Sequence, residues 1–370
     1  MKNIPFISAF RDPAPVRGLV ARIHEQAKPL AKATFMEVCG THTMSLYRHG
    51  IRSLLPKHVK MLSGPGCPVC VTPHAYLDRA IALSRQPGFV ITTFGDMMRV
   101  PGSTSSLQRE RAKGADIRVV YSTLDAVDMA EREPNRSFVF LGVGFETTSP
   151  TIAAAVVSAQ HRGIKNFFIA SAAKRVAPAL DVIVQDERLQ LDGLLCPGHV
   201  SAILGTSVYE PLANDHGVPC VIAGFEALDV LQGISMLLEQ VVDRQAKVQN
   251  AYRRAVEPQG NRVALALLDR VFEPVDSTWR GLGSLPASGL RLRSAFRDFD
   301  ADRFEVEVEP TREPRGCACG DILRGILTPF ECKLFGTVCT PDSPQGACMV
   351  SSEGTCAAAF RYGQTPAPTS

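Results

Sequence analysis

The segment Phe138-Val139-Phe140-Leu141-Gly142-Val143 is apolar at every position and ends in Gly144-Phe145-Glu146. Consecutive apolar side chains indicate a strand that is covered on both faces, as in a parallel sheet between layers of helices. Further short runs of this type alternate with segments of helical spacing, and this alternation predicts βαβ units. The predicted strands are 34–38, 59–62, 89–93, 117–121, 138–143, 166–170, 193–195 and 218–223.

A second apolar run ends in Ala223-Gly224-Phe225-Glu226 and so repeats the Gly-Phe-Glu of the first. This repeat predicts an α/β fold with two similar parallel-sheet domains, over residues 30–140 and 141–255. We expect a long helix over 226–256 to close the second domain. Beyond it, frequent proline and glycine and six cysteines predict a third, cysteine-rich domain that combines residues 256–370 with residues 1–29.

The composition of the 370 residues is that of a globular protein, with 45% apolar and 21% charged residues. The net charge of +3 gives no basic surface of the kind that nucleic acid requires. No apolar run approaches the roughly 18 residues of a membrane helix, and the first residues lack the apolar core of a signal peptide. We therefore expect a cytoplasmic protein with no nucleic-acid or membrane partner.

Eleven cysteines, an odd number without an export signal, disfavour a disulfide framework and favour metal binding or redox chemistry. Cys196 and Cys220 stand alone in the middle of the chain, where we expect them in the core. Two groups remain. They are Cys39, Cys67 and Cys70 near the start, and Cys317, Cys319, Cys332, Cys339, Cys348 and Cys356 near the end.

Polar and glycine-rich clusters follow several predicted strands, where parallel sheets bind their ligands. Examples are Cys39-Gly40-Thr41-His42-Thr43, Gly64-Pro65-Gly66-Cys67-Pro68-Val69-Cys70 and Gly144-Phe145-Glu146-Thr147-Thr148. None of the glycine-rich loops matches a phosphate-binding or dinucleotide-binding fingerprint. The clusters lie on different strands, so we expect them to converge on one cleft.

Cys67 and Cys70 are separated by two residues, a spacing that suits either a reversible disulfide or the grip on one metal ion. A helix predicted to begin near residue 73 would stabilise a thiolate with its N-terminal dipole. Half of a structural zinc site is the alternative interpretation.

Three further residues are candidates for the site, each with a simpler alternative. Cys39 is a nucleophile, a single metal ligand or a buried inert cysteine. His42 tunes that thiolate, moves protons or is merely hydrogen-bonded. Glu146 is a site acid or a first-turn carboxylate that complements a helix dipole.

The C-terminal cysteines are widely spaced, with fourteen residues between Cys317 and Cys332, six between Cys332 and Cys339, and sixteen between Cys339 and Cys356. Four spread thiolates with proline and glycine between them suit an iron–sulfur cluster. Zinc is the chemical alternative. Because six cysteines are available for four positions, spacing alone does not choose among them.

Six motifs of this sequence occur in the same order in one known family, and they are 39–43, 64–70, 93–102, 144–148, 196–201 and 348–356. Over nearly its whole length the chain thus resembles the HypD family of hydrogenase maturation factors. The resemblance implies a role in building the Fe(CN)2CO group of [NiFe] hydrogenases, in a complex with the small chaperone HypC. Cyanide would arrive from HypE, and the iron group would pass to the hydrogenase large subunit.

The resemblance also implies roles for particular residues. Cys39 matches the thiolate that holds the iron between the two proteins, and Cys67 and Cys70 match a thiol pair of a redox relay beside it. The family spacing selects Cys317, Cys332, Cys339 and Cys356 as ligands of a [4Fe-4S] cluster. Cys319 and Cys348 are then spare. The rival interpretations are a free-standing iron–sulfur thiol–disulfide reductase and a structural zinc protein.

Overall fold

A computed structural model describes residues 13–363 of the chain. Residues 1–12, which the sequence assigns to the third domain, lie outside the described residues. The strands in the described part are β1 (Ala33–Glu37), β2 (Val59–Ser63), β3 (Phe89–Thr93), β4 (Ile117–Val119), β5 (Ser137–Gly144), β6 (Phe167–Ala173), β7 (Gly193–Pro197), β8 (Cys220–Ala223), β9 (Val248–Asn250), β10 (Phe272–Trp279) and β11 (Gly283–Leu292).

The helices cover these sheets or join their strands. They are α1 (Pro13–Ala27), α2 (Gly40–Arg48), α3 (Ile51–Leu54), α4 (Pro68–Val71), α5 (His74–Ser84), α6 (Leu107–Ala112), α7 (Thr123–Arg132), α8 (Ser149–His161), α9 (Val176–Val184), α10 (Gly198–Leu204), α11 (Glu210–Asn214), α12 (Ala227–Asp243), α13 (Arg262–Val271), α14 (Cys319–Leu323) and α15 (Thr355–Tyr362).

Two parallel sheets form the body of the molecule. Sheet A has the strand order β2-β1-β7-β8-β9, and sheet B has the order β4-β3-β5-β6. An antiparallel hairpin, β10-β11, follows them and leads into the cysteine-rich C-terminal region. The prediction of an α/β fold with two parallel sheets and a cysteine-rich region is confirmed, and each of the eight predicted strands corresponds to a strand between β1 and β8.

The strands of the two sheets do not divide at residue 140, as the predicted boundaries 30–140 and 141–255 require. Both sheets take strands from both predicted units, since sheet A contains β1, β2, β7, β8 and β9, and sheet B contains β3 to β6. Residue 140 itself lies inside β5. The difference arises because the chain leaves sheet A after β2, completes sheet B, and returns to sheet A with β7.

The helix predicted over 226–256 and the assignment of residues 1–29 to the third domain also need correction. Helix α12 ends at Asp243 instead of continuing to residue 256, and strand β9 follows it at the edge of sheet A. Helix α1 packs against α12, where Gln26 hydrogen-bonds both Ser235 and Glu239, so it covers sheet A and not the C-terminal region.

The apolar run in β5 explains why sheet B is buried on both faces. Phe138 and Phe140 contribute to one hydrophobic cluster, and Val139 and Leu141 contribute to another. Successive side chains of a strand point to opposite faces, so a run without polar residues requires cover on both. Full burial of each such side chain contributes about 1.5–3 kcal/mol to folding.

Candidate functional site

Cys39 lies at the carboxyl end of β1, where it caps helix α2 with extended backbone angles of φ −148° and ψ 125°. Its carbonyl accepts a hydrogen bond from Thr43 N at 3.0 Å, which fixes the first turn of the helix. Burial raises the pKa of the Cys39 thiol to about 12, and the negative charge of Glu353 adds to this rise. The backbone N–H groups of His42 and Thr41 act in the opposite direction. Without a metal ion, the thiol is therefore protonated at neutral pH.

The loop that carries Cys67 and Cys70 lies directly on the Cys39 backbone. Gly40 N donates to Gly66 O at 3.0 Å, and a Cβ atom on Gly66 would lie only 2.3 Å from Cys39 N. Only glycine permits this approach of two backbones. Cys67 and Cys70 form a disulfide with a Cα–Cα distance of 5.2 Å, and Cys67 Sγ accepts a hydrogen bond from Cys70 N. The structure thus brings together three of the predicted site cysteines.

Glu353, from the C-terminal region, also contacts the Cys39 loop. Thr41 Oγ1 donates to Glu353 Oε1 at 2.8 Å, and a Cβ atom on Gly40 would lie 2.4 Å from Glu353 Cβ. Burial raises the pKa of Glu353. Sequence reasoning gave this residue no role, although it lies in the 348–356 motif, because no local pattern pairs it with a loop that precedes it by more than 300 positions.

Glu37 is the second acid that sequence reasoning missed. It is fully buried at the end of β1, and it accepts hydrogen bonds from Cys39 N at 3.2 Å and from Thr43 Oγ1. Burial raises the pKa of Glu37 to about 7, and the nearby Arg52 opposes the rise. The carboxyl group thus links the Cys39 backbone to the Thr43 side chain in the first turn of α2. A carboxyl group at the end of a short and largely apolar strand was the signal available in the sequence.

The His42 ring faces the carboxyl end of β8. Its Nε2 lies 2.8 Å from Gly224 O, and the ring packs on Phe225 with 4.8 Å between the centroids. Burial lowers the pKa of His42 to about 4, so the ring is neutral at pH 7 and Nε2 donates to the carbonyl. The backbone N–H of His42 is the group that acts on the Cys39 sulfur.

Glu146 occupies a separate position at the carboxyl end of β5. Its Oε1 accepts a hydrogen bond from Val176 N at 2.9 Å, at the start of α9, while Oε2 is buried without a partner. Burial raises the pKa of Glu146 to about 7. Within residues 13–363, no hydrogen bond joins Glu146 to the Cys39 loop. Helix α4, which contains Cys70, packs on β5, so the acid lies on the sheet-B side of the dithiol.

The six C-terminal cysteines line one small cavity. Cys319 Sγ and Cys348 Sγ are 2.9 Å apart. A Cβ atom on Gly346 would lie 2.9 Å from Cys317 Sγ, so this sulfur atom occupies the space beside the glycine. A hydrogen bond with Cys319, followed by burial, raises the pKa of Cys317. The cysteines that line the cavity are Cys317, Cys319, Cys332, Cys339, Cys348 and Cys356.

The four predicted cluster ligands and the two predicted spare cysteines all line this cavity. Their location therefore does not distinguish the ligands from the spare cysteines. In the described residues, no three His, Cys, Asp or Glu side chains already surround a common point as ligands of a single metal ion. The number and type of donors nevertheless fit a thiolate-ligated cluster, which needs four cysteines. Cys196 and Cys220 lie in strands β7 and β8 of sheet A, where both are fully buried in the core as expected.

Comparison with known proteins assigns the chain to a protein family. The profile of the family described as "HypD: Hydrogenase formation hypA family" matches residues 14–363. The chain is 46% identical over 367 residues to hydrogenase maturation factor HypD of Azotobacter vinelandii, covering 97% of each protein. It is 45% identical over 368 residues to hydrogenase maturation factor HypD of Cupriavidus necator, again with 97% of each covered.

An archaeal relative shows the same extent of similarity. A putative hydrogenase expression/formation protein of Methanocaldococcus jannaschii is 43% identical over 353 residues, covering 95% of this chain and 98% of the relative. Among residues 13–363, no helix is long and apolar enough to cross a membrane.

Proposed function

Since the chain belongs to the HypD family and is a hydrogenase maturation factor, we propose that it assembles the Fe(CN)2CO group of [NiFe] hydrogenases with a small HypC-type chaperone. The observation that carries this proposal is the meeting of three loops at Cys39. One loop contains the disulfide of Cys67 and Cys70, and another contains Glu353 beside the cysteine-lined cavity.

The iron is the substrate of this assembly, and Cys39 is the residue that we propose to hold it. Around Cys39, the described residues offer one thiol and the carboxyl groups of Glu37 and Glu353, and no preformed set of three metal-binding side chains. An incomplete set of ligands supports a site that a second protein completes. In this proposal the HypC-type chaperone supplies the missing ligands.

The cysteine-lined cavity is the proposed place of a [4Fe-4S] cluster. Cys317, Cys332, Cys339 and Cys356 would hold it, with Cys319 and Cys348 spare. When bound, such a cluster would supply single electrons. Cys67 and Cys70, which form a disulfide in this structure, would store two electrons and two protons as a dithiol. We propose that HypE delivers the cyanide and that the hydrogenase large subunit receives the finished iron group, all in the cytoplasm.

The formation of the Cys67–Cys70 disulfide also suits a free-standing iron–sulfur thiol–disulfide reductase. The burial of the pair argues against this second function, because Cys67 is only 3% exposed and Cys70 is fully buried. An external disulfide has to reach the attacking sulfur in a thiol–disulfide exchange. A reductase of this type would therefore need the C-terminal region or the hairpin to move away.

Anaerobic co-purification with a HypC-type chaperone, followed by iron, zinc and sulfide analysis, tests the proposal. We expect a brown complex that contains four iron and four sulfide per cluster in addition to the substrate iron. Alanine variants of the four proposed ligands should lose the brown colour, whereas Cys319→Ala and Cys348→Ala serve as matched controls that keep it. Colourless protein that contains zinc, or full reductase activity without the chaperone, would contradict the proposal.

A further inference from the structure

Arg280 is a buried guanidinium whose hydrogen-bond partners are all neutral. It lies at the tip of the β10-β11 hairpin and is 4% exposed. Its Nε and Nη2 donate to Thr72 O at 3.0 and 2.7 Å, and its backbone N donates to Val71 O at 2.8 Å. The residue therefore grips the chain directly after Cys70.

The third contact of the guanidinium is also neutral. Nη1 lies 3.2 Å from His74 Nε2, and burial together with the positive charge of Arg280 lowers the pKa of His74. The exposed Glu313 is 3.6 Å from the other ring nitrogen of His74, and it is not bonded to Arg280. In the described part of the chain, no carboxylate forms an ion pair with Arg280. An unpaired buried charge costs several kcal/mol, so buried charges are normally compensated.

The cysteine-lined cavity lies close to the hairpin tip that carries Arg280. A Cβ atom on Gly281 would lie 2.7 Å from Gly320 O, so the hairpin tip touches the backbone immediately after Cys319. Arg280 thus lies between the dithiol loop and the cavity. It is hydrogen-bonded to the chain after Cys70, and it adjoins the glycine that contacts the backbone beside Cys319.

We propose that Arg280 is a positioning residue that supplies the counter-charge of the iron–sulfur cluster and stabilises its reduced state. This inference rests on the cluster in the proposed function. Reduction of the cluster by one electron adds one negative charge, with no bond broken and no proton taken up. A fixed positive charge favours the more negative state, and it raises the reduction potential accordingly.

A potentiometric titration of the complete protein, anaerobically purified with its cluster, tests the inference. Dithionite is the electron donor, and the reduced cluster is followed by electron paramagnetic resonance. Arg280→Gln keeps a hydrogen-bond donor but removes the charge, whereas Arg280→Lys retains the charge. The matched control is Arg324→Gln, because Arg324 follows α14 near the same cavity, is 27% exposed and is already paired with Asp321.

We expect Arg280→Gln to make one-electron reduction at least tenfold less favourable, which is a shift of 59 mV to a more negative potential. Arg280→Lys should shift by less than half of that value, and Arg324→Gln should stay at the wild-type potential. Loss of the cluster in Arg280→Gln with full retention in Arg280→Lys would likewise support the role of the charge.

Other outcomes would overturn the inference in distinguishable ways. Equal potentials in wild type, Arg280→Gln and Arg324→Gln would show that Arg280 is not the counter-charge, and the cluster itself would stand. Loss of the cluster in both Arg280 variants, with unchanged circular dichroism, would leave only a structural role. Wild-type protein without iron and sulfide would remove the cluster and the inference together.

Discussion

Cys39 depends on residues that make contact with its backbone as much as on those near its sulfur. Glu37 accepts a hydrogen bond from Cys39 N, and Gly66 packs directly against the backbone of Cys39. The sequence indicated Cys39, Cys67 and Cys70 as site residues because they lie in polar, glycine-rich clusters after predicted strands. It did not indicate Glu37 or Glu353, since their importance comes from contacts that only the folded chain creates.

Gly66→Ala is expected to displace the Cys39 loop, because the added Cβ would lie 2.3 Å from Cys39 N, where two backbones cannot both stay in place. Overpacking of this kind destabilises by about 1–3 kcal/mol. Urea unfolding would measure the loss, and iron bound to the chaperone complex should fall with it. The control is Gly18→Ala in helix α1, where a Cβ has open space and should stabilise by up to about 1 kcal/mol. Equal stability of the two variants would contradict the packing.

Glu146→Gln is expected to stabilise the protein at pH 8. Burial raises the pKa of Glu146 from its usual value near 4.5 to about 7. A carboxyl group whose pKa is raised in the folded state makes its full contribution to the free energy of unfolding below pH 4.5. This contribution is lost as the pH rises through 7. Glutamine removes the charge, so the variant should gain up to about 3 kcal/mol at pH 8 and little at pH 5.

Urea unfolding at both pH values checks this prediction, with Glu187→Gln, an exposed carboxyl group, as the control that should change little. A variant that is less stable than wild type at pH 8 would mean that the carboxylate has a partner in the folded protein. A fall in hydrogenase maturation together with the gain in stability would identify Glu146 as a residue kept for function.

At the scale of elements, apolar runs located every strand from β1 to β8, because burial on both faces leaves a signal that needs no tertiary information. Helix ends were less visible. Periodic apolar positions suggested a helix over 226–256, yet α12 stops where Arg244 adopts a left-handed conformation with φ 54°. Such a conformation is unfavourable for arginine, and local sequence gives no warning of it.

Arg244→Gly should therefore stabilise the end of α12. Glycine adopts positive φ without the steric cost that a Cβ imposes, and the side chain of Arg244 is exposed. We expect a gain of about 0.5–1 kcal/mol in the free energy of unfolding. Arg244→Ala is the control, since it removes the same side chain and keeps the Cβ. A glycine variant no more stable than the alanine variant would contradict the role of the backbone conformation.

For the whole molecule, the sequence predicted two parallel sheets and a cysteine-rich region, but it did not predict the order in which the chain forms the two sheets. The Gly-Phe-Glu repeat does mark equivalent points, the carboxyl ends of β5 and β8, but these strands belong to different sheets. Strand order is decided by packing between distant segments. No local pattern therefore shows that the chain completes sheet B after β2 and before it returns to sheet A with β7. The C-terminal region was expected as a separate domain, and Glu353 shows that it also forms one wall of the Cys39 site.

Infrared spectroscopy of the complex with a HypC-type chaperone tests the central claim, that Cys39 holds the iron during assembly. Wild-type complex should show Fe–CN and Fe–CO stretching bands. Cys39→Ala should fold, keep the C-terminal cluster and lose these bands, because it removes the one thiol at the meeting point of the three loops. The buried Cys220→Ala is the control that should keep them. Bands of full intensity in Cys39→Ala would contradict the claim and locate the iron elsewhere.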